Sequence, residues 1–304
     1  GGAGILLVGA SGVGKTAVVH ALVQKLAAAA RTLEDRRDVW QVDGNRIISG
    51  MSVVGAWESR LGAMVSELSQ RLDILYVSDL PALVYTGRSA HSDSNVAKYL
   101  EPHLQRGELR IIGECTPERL LSARDEAPGF FARFRVVWLD EMSEKDALGV
   151  LVHQARALEK STNTHADPDA LEAILALTRR FEPRRAHPGK AVTLLDRVAA
   201  DHEKISTDNL GRRRLSRTDV IDAYARQTGL PRFVLWEGDA RAPAEVREFF
   251  QRRIIAQPRA VEAAEDVVAR LPDHPLLLDV READEVATGQ LAGARHVPRG
   301  FLEL

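Results

Sequence analysis

The stretch "GASGVGKT", Gly9 to Thr16, carries the strongest chemical signal in the chain. Its glycines let the backbone curl so that successive N–H groups face one point at the start of a helix, where the dipole favours an anion. The lysine and hydroxyl that follow complete a phosphate-binding loop: Lys15 would contact the β- and γ-phosphates, and Thr16 would set its hydroxyl on magnesium. ATP with Mg2+ is therefore the expected ligand of Gly9, Gly12, Val13, Gly14, Lys15 and Thr16. Further along, "ILYVSDLPAL" (74 to 83) reads as a buried strand ending on polar residues. A triphosphate hydrolase needs carboxylates at such a strand end, one toward the metal and one toward the attacking water. This strand ends on Ser78 and Asp79.

The elements around the loop suit it. Residues 4 to 8, "GILLV", are an apolar run, and an alanine-rich stretch with helical spacing continues to about residue 30, so the loop joins a strand to a helix. Further strands are predicted at "VWQVDG" (39 to 44), "ILYVS", "LRIIGEC" (109 to 115) and "RVVWL" (135 to 139). Between them "WESRLGAMVSELSQRL" (57 to 72) and "VAKYLEPHLQRG" read as helices, the first clearly amphipathic. This alternation predicts an α/β domain, a parallel sheet with helices on both faces. From residue 143 the pattern is helical only, which predicts a small helical domain. After Trp236, "EGDARAPAE" reads as a linker, "AEVREFFQRRI" and "PRAVEAAEDVVARL" as helices, and residues 275 to 300 as strand, turn, helix and strand. The expected organisation is an α/β nucleotide-binding domain over 1–141, a helical lid over 142–236, a linker with helices over 237–272, and a final segment over 273–304.

The 41 basic and 43 acidic residues leave a net charge of −2, which gives no electrostatic case for nucleic acid. The run "GRRRLSR" (211 to 217) reads as a solvated helix start. No apolar run approaches a membrane span and no signal peptide is visible, so neither membrane nor export is expected and the cytoplasm is. One cysteine, Cys115, excludes an internal disulfide. At the end of a buried strand it reads as a small core residue and not a nucleophile. The histidines lack ligand spacing, so no structural zinc is expected. The chain opens "GGAGILLVG" without a methionine and stops at "GFLEL" in mid-pattern; it reads as part of a longer protein.

From residue 39 to about 232 the chain resembles the first ATPase module of the Clp chaperone family of AAA+ proteins. "ILYVSDLPALVYTG" is similar to that family's Walker B strand, and "LEPHLQRGELRIIGECTPERL" to the helix, turn and sensor strand that follow. "FFARFRVVWLDEMSEKDAL" resembles the arginine-finger segment, and "PGKAVTLLDRVAA" and "DAYARQTGLP" the lid helices. The resemblance implies a P-loop AAA+ fold with a helical lid, ATP and Mg2+ as cofactors, self-association into a ring, and a protein substrate or partner. It adds Lys190 to the nucleotide-binding residues.

Departures from the family qualify this picture. Matched residue by residue, Ser78 stands where the family has its metal-side aspartate and Asp79 where it has the glutamate that polarises water. The alternative register makes Asp79 the metal residue and leaves no base. Thr116 matches the sensor that helps place the water, and otherwise reads as a helix cap. Arg133 matches one of two arginine fingers given to a neighbouring subunit, and otherwise reads as a surface charge; the second finger position is Ala132. In the segment similar to the pore loop, Val53 replaces the usual aromatic. Hydrolysis is expected to persist but weakened. The alternatives are an inactive ATP-binding scaffold or regulatory subunit, and a regulator fused to a sulfurtransferase. The last comes from the ends of the chain: residues 246 to 271 resemble the opening helices of a second Clp module, with Ala256 for a usual glycine. "LLLDVREADEVATGQLAGARHVP" is similar to the start of a rhodanese domain, with Gln290 in a histidine position. The rhodanese catalytic cysteine would come later and is not in this chain.

Overall fold

The computed structural model describes residues 4–32, 36–48, 56–88, 94–201, 206–207 and 213–236, and beyond them positions 248, 251, 259, 278–279 and 295–296. The chain divides into two compact units, Gly1–His202 with Thr207–Arg214, and Glu203–Ser206 with Leu215–Leu304.

The first unit is built on five strands: β1 (Gly4–Val8), β2 (Val39–Val42), β3 (Ile74–Val77), β4 (Arg110–Cys115) and β5 (Phe134–Trp138). They pair in the order β2-β3-β4-β1-β5, every pair parallel. Six helices are interleaved: α1 (Lys15–Ala29), α2 (Gly44–Ile48), α3 (Ala56–Arg71), α4 (Val96–Gln105), α5 (Pro117–Glu126) and α6 (Pro128–Phe131). The parallel α/β sheet expected from the alternation is the sheet the chain forms.

Side chains alternate between the faces of a strand, and here each face has its own cover. Leu6, Val8, Leu75, Val77 and Ile111 enter a large core with Leu61, Val65 and Leu68 of α3, Leu100 and Leu104 of α4, and Phe130 and Phe131 of α6. Leu7, Tyr76 and Ile112 point the other way, against Val19 of α1. Burial of each large aliphatic side chain contributes roughly 1.5–3 kcal/mol, so the two layers fix the register. That register sets Leu7 opposite Glu114 and Val8 opposite Cys115, bringing the carboxyl ends of β1 and β4 side by side.

The lid helices are α7 (Glu144–Thr162), α8 (Pro168–Phe181) and α9 (Gly189–Ala200). The expectation that this region is helical only is corrected by short strands, β6 (Thr164–Ala166), β7 (Ser206–Thr207) and β8 (Arg213–Leu215). The cause is local: Asn163 ends α7 in the left-handed conformation, its carbonyl accepts the Arg213 N–H, and Arg214 pairs with Asp167 at 2.8 Å. Most of "GRRRLSR" is thus strand or outside the described residues, and the helix starts only after Ser216.

In the second unit Ser216 and Asp219 form a reciprocal capping box for α10 (Arg217–Thr228). The short α11 (Arg232–Leu235) follows, and Arg217 stacks over Trp236 at 4.6 Å. Two short strands, β9 (Leu278–Asp279) and β10 (Arg295–His296), pair in parallel. Otherwise the rhodanese-like stretch, most of residues 237–272, and Val53 with its loop lie outside the described residues.

Candidate functional site

The carboxyl ends of β3 and β4 and the glycine loop after β1 enclose a cavity of about 440 Å³, where an open parallel sheet ordinarily binds its ligand. Ser11, Gly12, Gly14, Lys15 and Thr16 line it from the loop and the start of α1. Ser78 and Asp79 line it from β3, and Glu114, Cys115, Thr116 and Arg119 from β4 and α5. Gly12 and Gly14 hold φ values of 89° and 103°, the left-handed region that side chains resist. Gly9 and Val13 are not among the lining residues; Val13 is buried, and its amide closes a turn onto Ala10.

A second backbone layer braces the loop. The Ala186 N–H donates to the Ser11 carbonyl and the Gly189 N–H to the Gly12 carbonyl, both at 2.8 Å. Approach is so close that a Cβ on Gly189 would fall 2.5 Å from Gly12 Cα. Glu141 Oε1 accepts the His187 N–H at 2.7 Å and lies 3.3 Å from Lys190 Nζ. Lys190 is buried on that ion pair; of this segment only Gly189 lines the cavity.

Lys15 Nζ donates to the carbonyls of Gly9 and Ala10 at 2.8 and 2.9 Å. Burial lowers its pKa, and the negative charge of Glu114 and the Cys115 thiolate form oppose that lowering. Asp79 faces Arg119, with Oδ2 3.0 Å from the guanidinium, while its Oδ1 is buried without a partner among the described residues. Thr116 occupies the N-cap position of α5, yet its hydroxyl makes no cap bond to the backbone. It hydrogen-bonds Glu118, whose carboxyl is held below its ordinary range first by its own amide and then by Thr116. Cys115 is buried, and burial pushes its thiol up to about 11.

The sequence reading missed Glu114. The last carboxylate-bearing position of β4, it is 4 % exposed, and it accepts from Thr16 Oγ1 at 3.1 Å and from the Tyr76 hydroxyl at 2.5 Å. Burial and then this bond push the Tyr76 phenol up to about 12. A signal was present: in "LRIIGEC" Glu114 is two residues from Ile112 and so shares the α1 face. Arg119, the partner of Asp79, was likewise unforeseen.

Arg133 lies between α6 and the edge strand β5. It does not line its own chain's cavity, and its Nε is buried without a partner among the described residues.

The glycine curl, the Lys15 ammonium and the oxygen donors Thr16, Ser78 and Glu114 fit a triphosphate with a hard divalent cation. Among the described residues no group of three or more His, Cys, Asp or Glu side chains could hold a metal by itself, so phosphate oxygens and water would complete the coordination of a cation here. No helix is long and apolar enough to cross a membrane, among the described residues.

Residues 5–184 match the model of the ATPase family associated with various cellular activities (AAA). The chaperone protein ClpB of Aquifex aeolicus is 31 % identical over 198 residues, covering 64 % of this chain and 20 % of that protein. ClpB 1 of Nostoc sp. is 27 % identical over 266 residues, covering 86 % and 29 %. The chain therefore spans under a third of the length of these curated relatives. A closed-state reconstruction of Hsp104 with ATPγS and FITC casein superposes with a TM-score of 0.68 at 22 % identity, over 90 % of this chain and 48 % of that one; at this identity the likeness speaks for the fold alone.

Proposed function

This chain belongs to the AAA family of ATPases, and from that premise we propose that it is a Clp-type module that binds MgATP and hydrolyses it slowly. The observation that carries the reading is the single cavity shared by Gly12, Gly14, Lys15, Thr16, Ser78, Asp79 and Thr116. Backbone N–H groups of the loop would cradle the phosphates and Lys15 would balance charge on the terminal ones. Magnesium, when bound, neutralises charge on the transferring phosphoryl group. Thr16 would hold it through its hydroxyl.

Weak hydrolysis follows from what stands opposite. Ser78 brings a hydroxyl without charge. Asp79 is one methylene shorter than glutamate and is engaged by Arg119 at 3.0 Å, so a base within reach of a water's proton is poorly supplied. Thr116, whose hydroxyl makes no cap bond to the backbone, would help place that water. Arg133, off its own cavity, would serve a neighbouring copy; ring assembly, a protein substrate or partner, and a cytoplasmic location accompany the reading.

Ser78, which lines the cavity without a charge to offer a metal, also favours a second reading, a module that holds ATP as a structural ligand. The two separate by measuring MgATP affinity and single-turnover hydrolysis, each against Lys15→Ala. Lys15-dependent binding with turnover lost in Asp79→Ala supports the enzyme. Lys15-dependent binding with ATP left intact supports the scaffold.

A further inference from the structure

A buried carboxylate at a phosphate site is a liability unless something positive meets it. Glu114 is 4 % exposed, and both of its hydrogen-bond partners are neutral hydroxyls, Thr16 and Tyr76. Among the described residues no cation reaches it at salt-bridge distance; the Lys15 ammonium feels its charge only through space, and bound phosphates would draw on that same ammonium. Desolvating an unpaired carboxylate costs several kcal/mol, and two hydroxyl donors offset only part of that. Adding the negative charge of a triphosphate would worsen the balance. A divalent cation between them reverses its sign.

The hydrogen-bond directions suit such a cation. Thr16 spends its proton on Glu114, which leaves the lone pairs of its oxygen for a metal, and the Tyr76 phenol pins the other carboxylate oxygen. Hydrogen bonds of this kind orient metal ligands. Ser78, on the adjacent strand, brings no charge to the same cavity. We propose that Glu114 is the carboxylate on the magnesium side of the bound triphosphate, supplied by β4 where the β3 strand end offers the uncharged Ser78 and an Asp79 already paired with Arg119, and that Tyr76 is its positioning residue. This rests on the reading of the cavity as an ATP site.

The test compares binding of mant-ATP in excess Mg2+ and in EDTA, for the wild type, Lys15→Ala, Glu114→Gln and Tyr76→Phe. Gln is nearly isosteric with Glu, and both neighbouring hydroxyls can turn to accept from its amide, so the fold should be kept; equal unfolding midpoints check this. The wild type should bind more tightly with Mg2+. Glu114→Gln should lose at least tenfold of that enhancement while binding in EDTA as well as the wild type or better, because a repelling charge is gone. Tyr76→Phe should lose a smaller part. An unchanged enhancement in Glu114→Gln overturns the proposal and leaves Glu114 as a brace for Thr16. If Glu114→Gln does not fold, the enhancement is compared between Glu114→Asp and Glu114→Ala, and equality again overturns it. If the wild type shows no Lys15-dependent binding, the ATP reading falls and the proposal falls with it.

Discussion

Arg119, one turn into α5, holds Asp79 at the end of β3 by a contact of 3.0 Å, so the best-placed acidic group at the β3 strand end is tied to a cation of its own chain. Both side chains are about half exposed, at 52 % and 43 %, and exposed pairs are worth about 1 kcal/mol or less. The brake on Asp79 is therefore light. Arg119→Ala should raise single-turnover hydrolysis by up to about fivefold, with MgATP affinity little changed. A fall in turnover would instead assign Arg119 to the phosphates.

The contact between Gly189 and Gly12 tests whether the segment before α9 braces the phosphate loop. Gly189→Ala would set a methyl 2.5 Å from backbone, a clash that only backbone movement relieves, costing about 1–3 kcal/mol. Its unfolding midpoint and its ATP affinity should fall together. Gly149→Ala is the counterpart: it lies within α7 with nothing within 4 Å of an added Cβ. It should gain about 0.5–1 kcal/mol from helix propensity and leave ATP binding unchanged.

These two sites also mark what could be read from the sequence. "GILLV" followed by "GASGVGKT" specifies a strand, a glycine curl and a helix by local rules, and the elements form where expected, as do the other four sheet strands, while helices dominate the region after residue 143. Glu114 escaped because its meaning is non-local: its partners Thr16 and Tyr76 come from α1 and β3, and only the parallel register brings them to one carboxylate. The Gly12–Gly189 contact is hidden for the same reason, since neither glycine announces its partner. The strands β6 and β8 escaped because three-residue strands between helices carry too little periodicity to show.

Two buried groups predict behaviour in alkali. Burial raises the Cys115 thiol from its ordinary 9.0 to about 11 and the Tyr76 phenol from 10.0 to about 12. A group raised in the folded state contributes stability below its unfolded pKa, and that contribution is lost as pH climbs through the folded one. Stability should thus decline from about pH 9 upward, through loss at Cys115 first and at Tyr76 above pH 10. Cys115→Ala should remove the lower part of this decline and Tyr76→Phe the upper part, in denaturant titrations at stepped pH. At pH 8 the folded thiol carries about a hundredfold less thiolate than a free one, so a thiol reagent should label Cys115 about a hundredfold more slowly than the unfolded chain.

Arg133 poses the question of whether one chain is enough. It stands off the cavity that its own residues line, beside the edge strand β5, and that placement suits service to a second copy better than service at home. Arginine fingers are worth about 10³-fold or more in turnover; here, with the opposing carboxylate already compromised, Arg133→Ala should cost about 10²-fold in single turnover and leave MgATP affinity within about twofold. Mixing is the decisive measurement. Lys15→Ala subunits lack a working phosphate loop but keep Arg133, whereas Arg133→Ala subunits keep the loop and lack the finger. If the finger acts between copies, the mixture hydrolyses ATP faster than either variant alone, since hybrid neighbours rebuild complete sites. If the mixture shows only the sum of its parts while the variants co-assemble, Arg133 acts within its own chain.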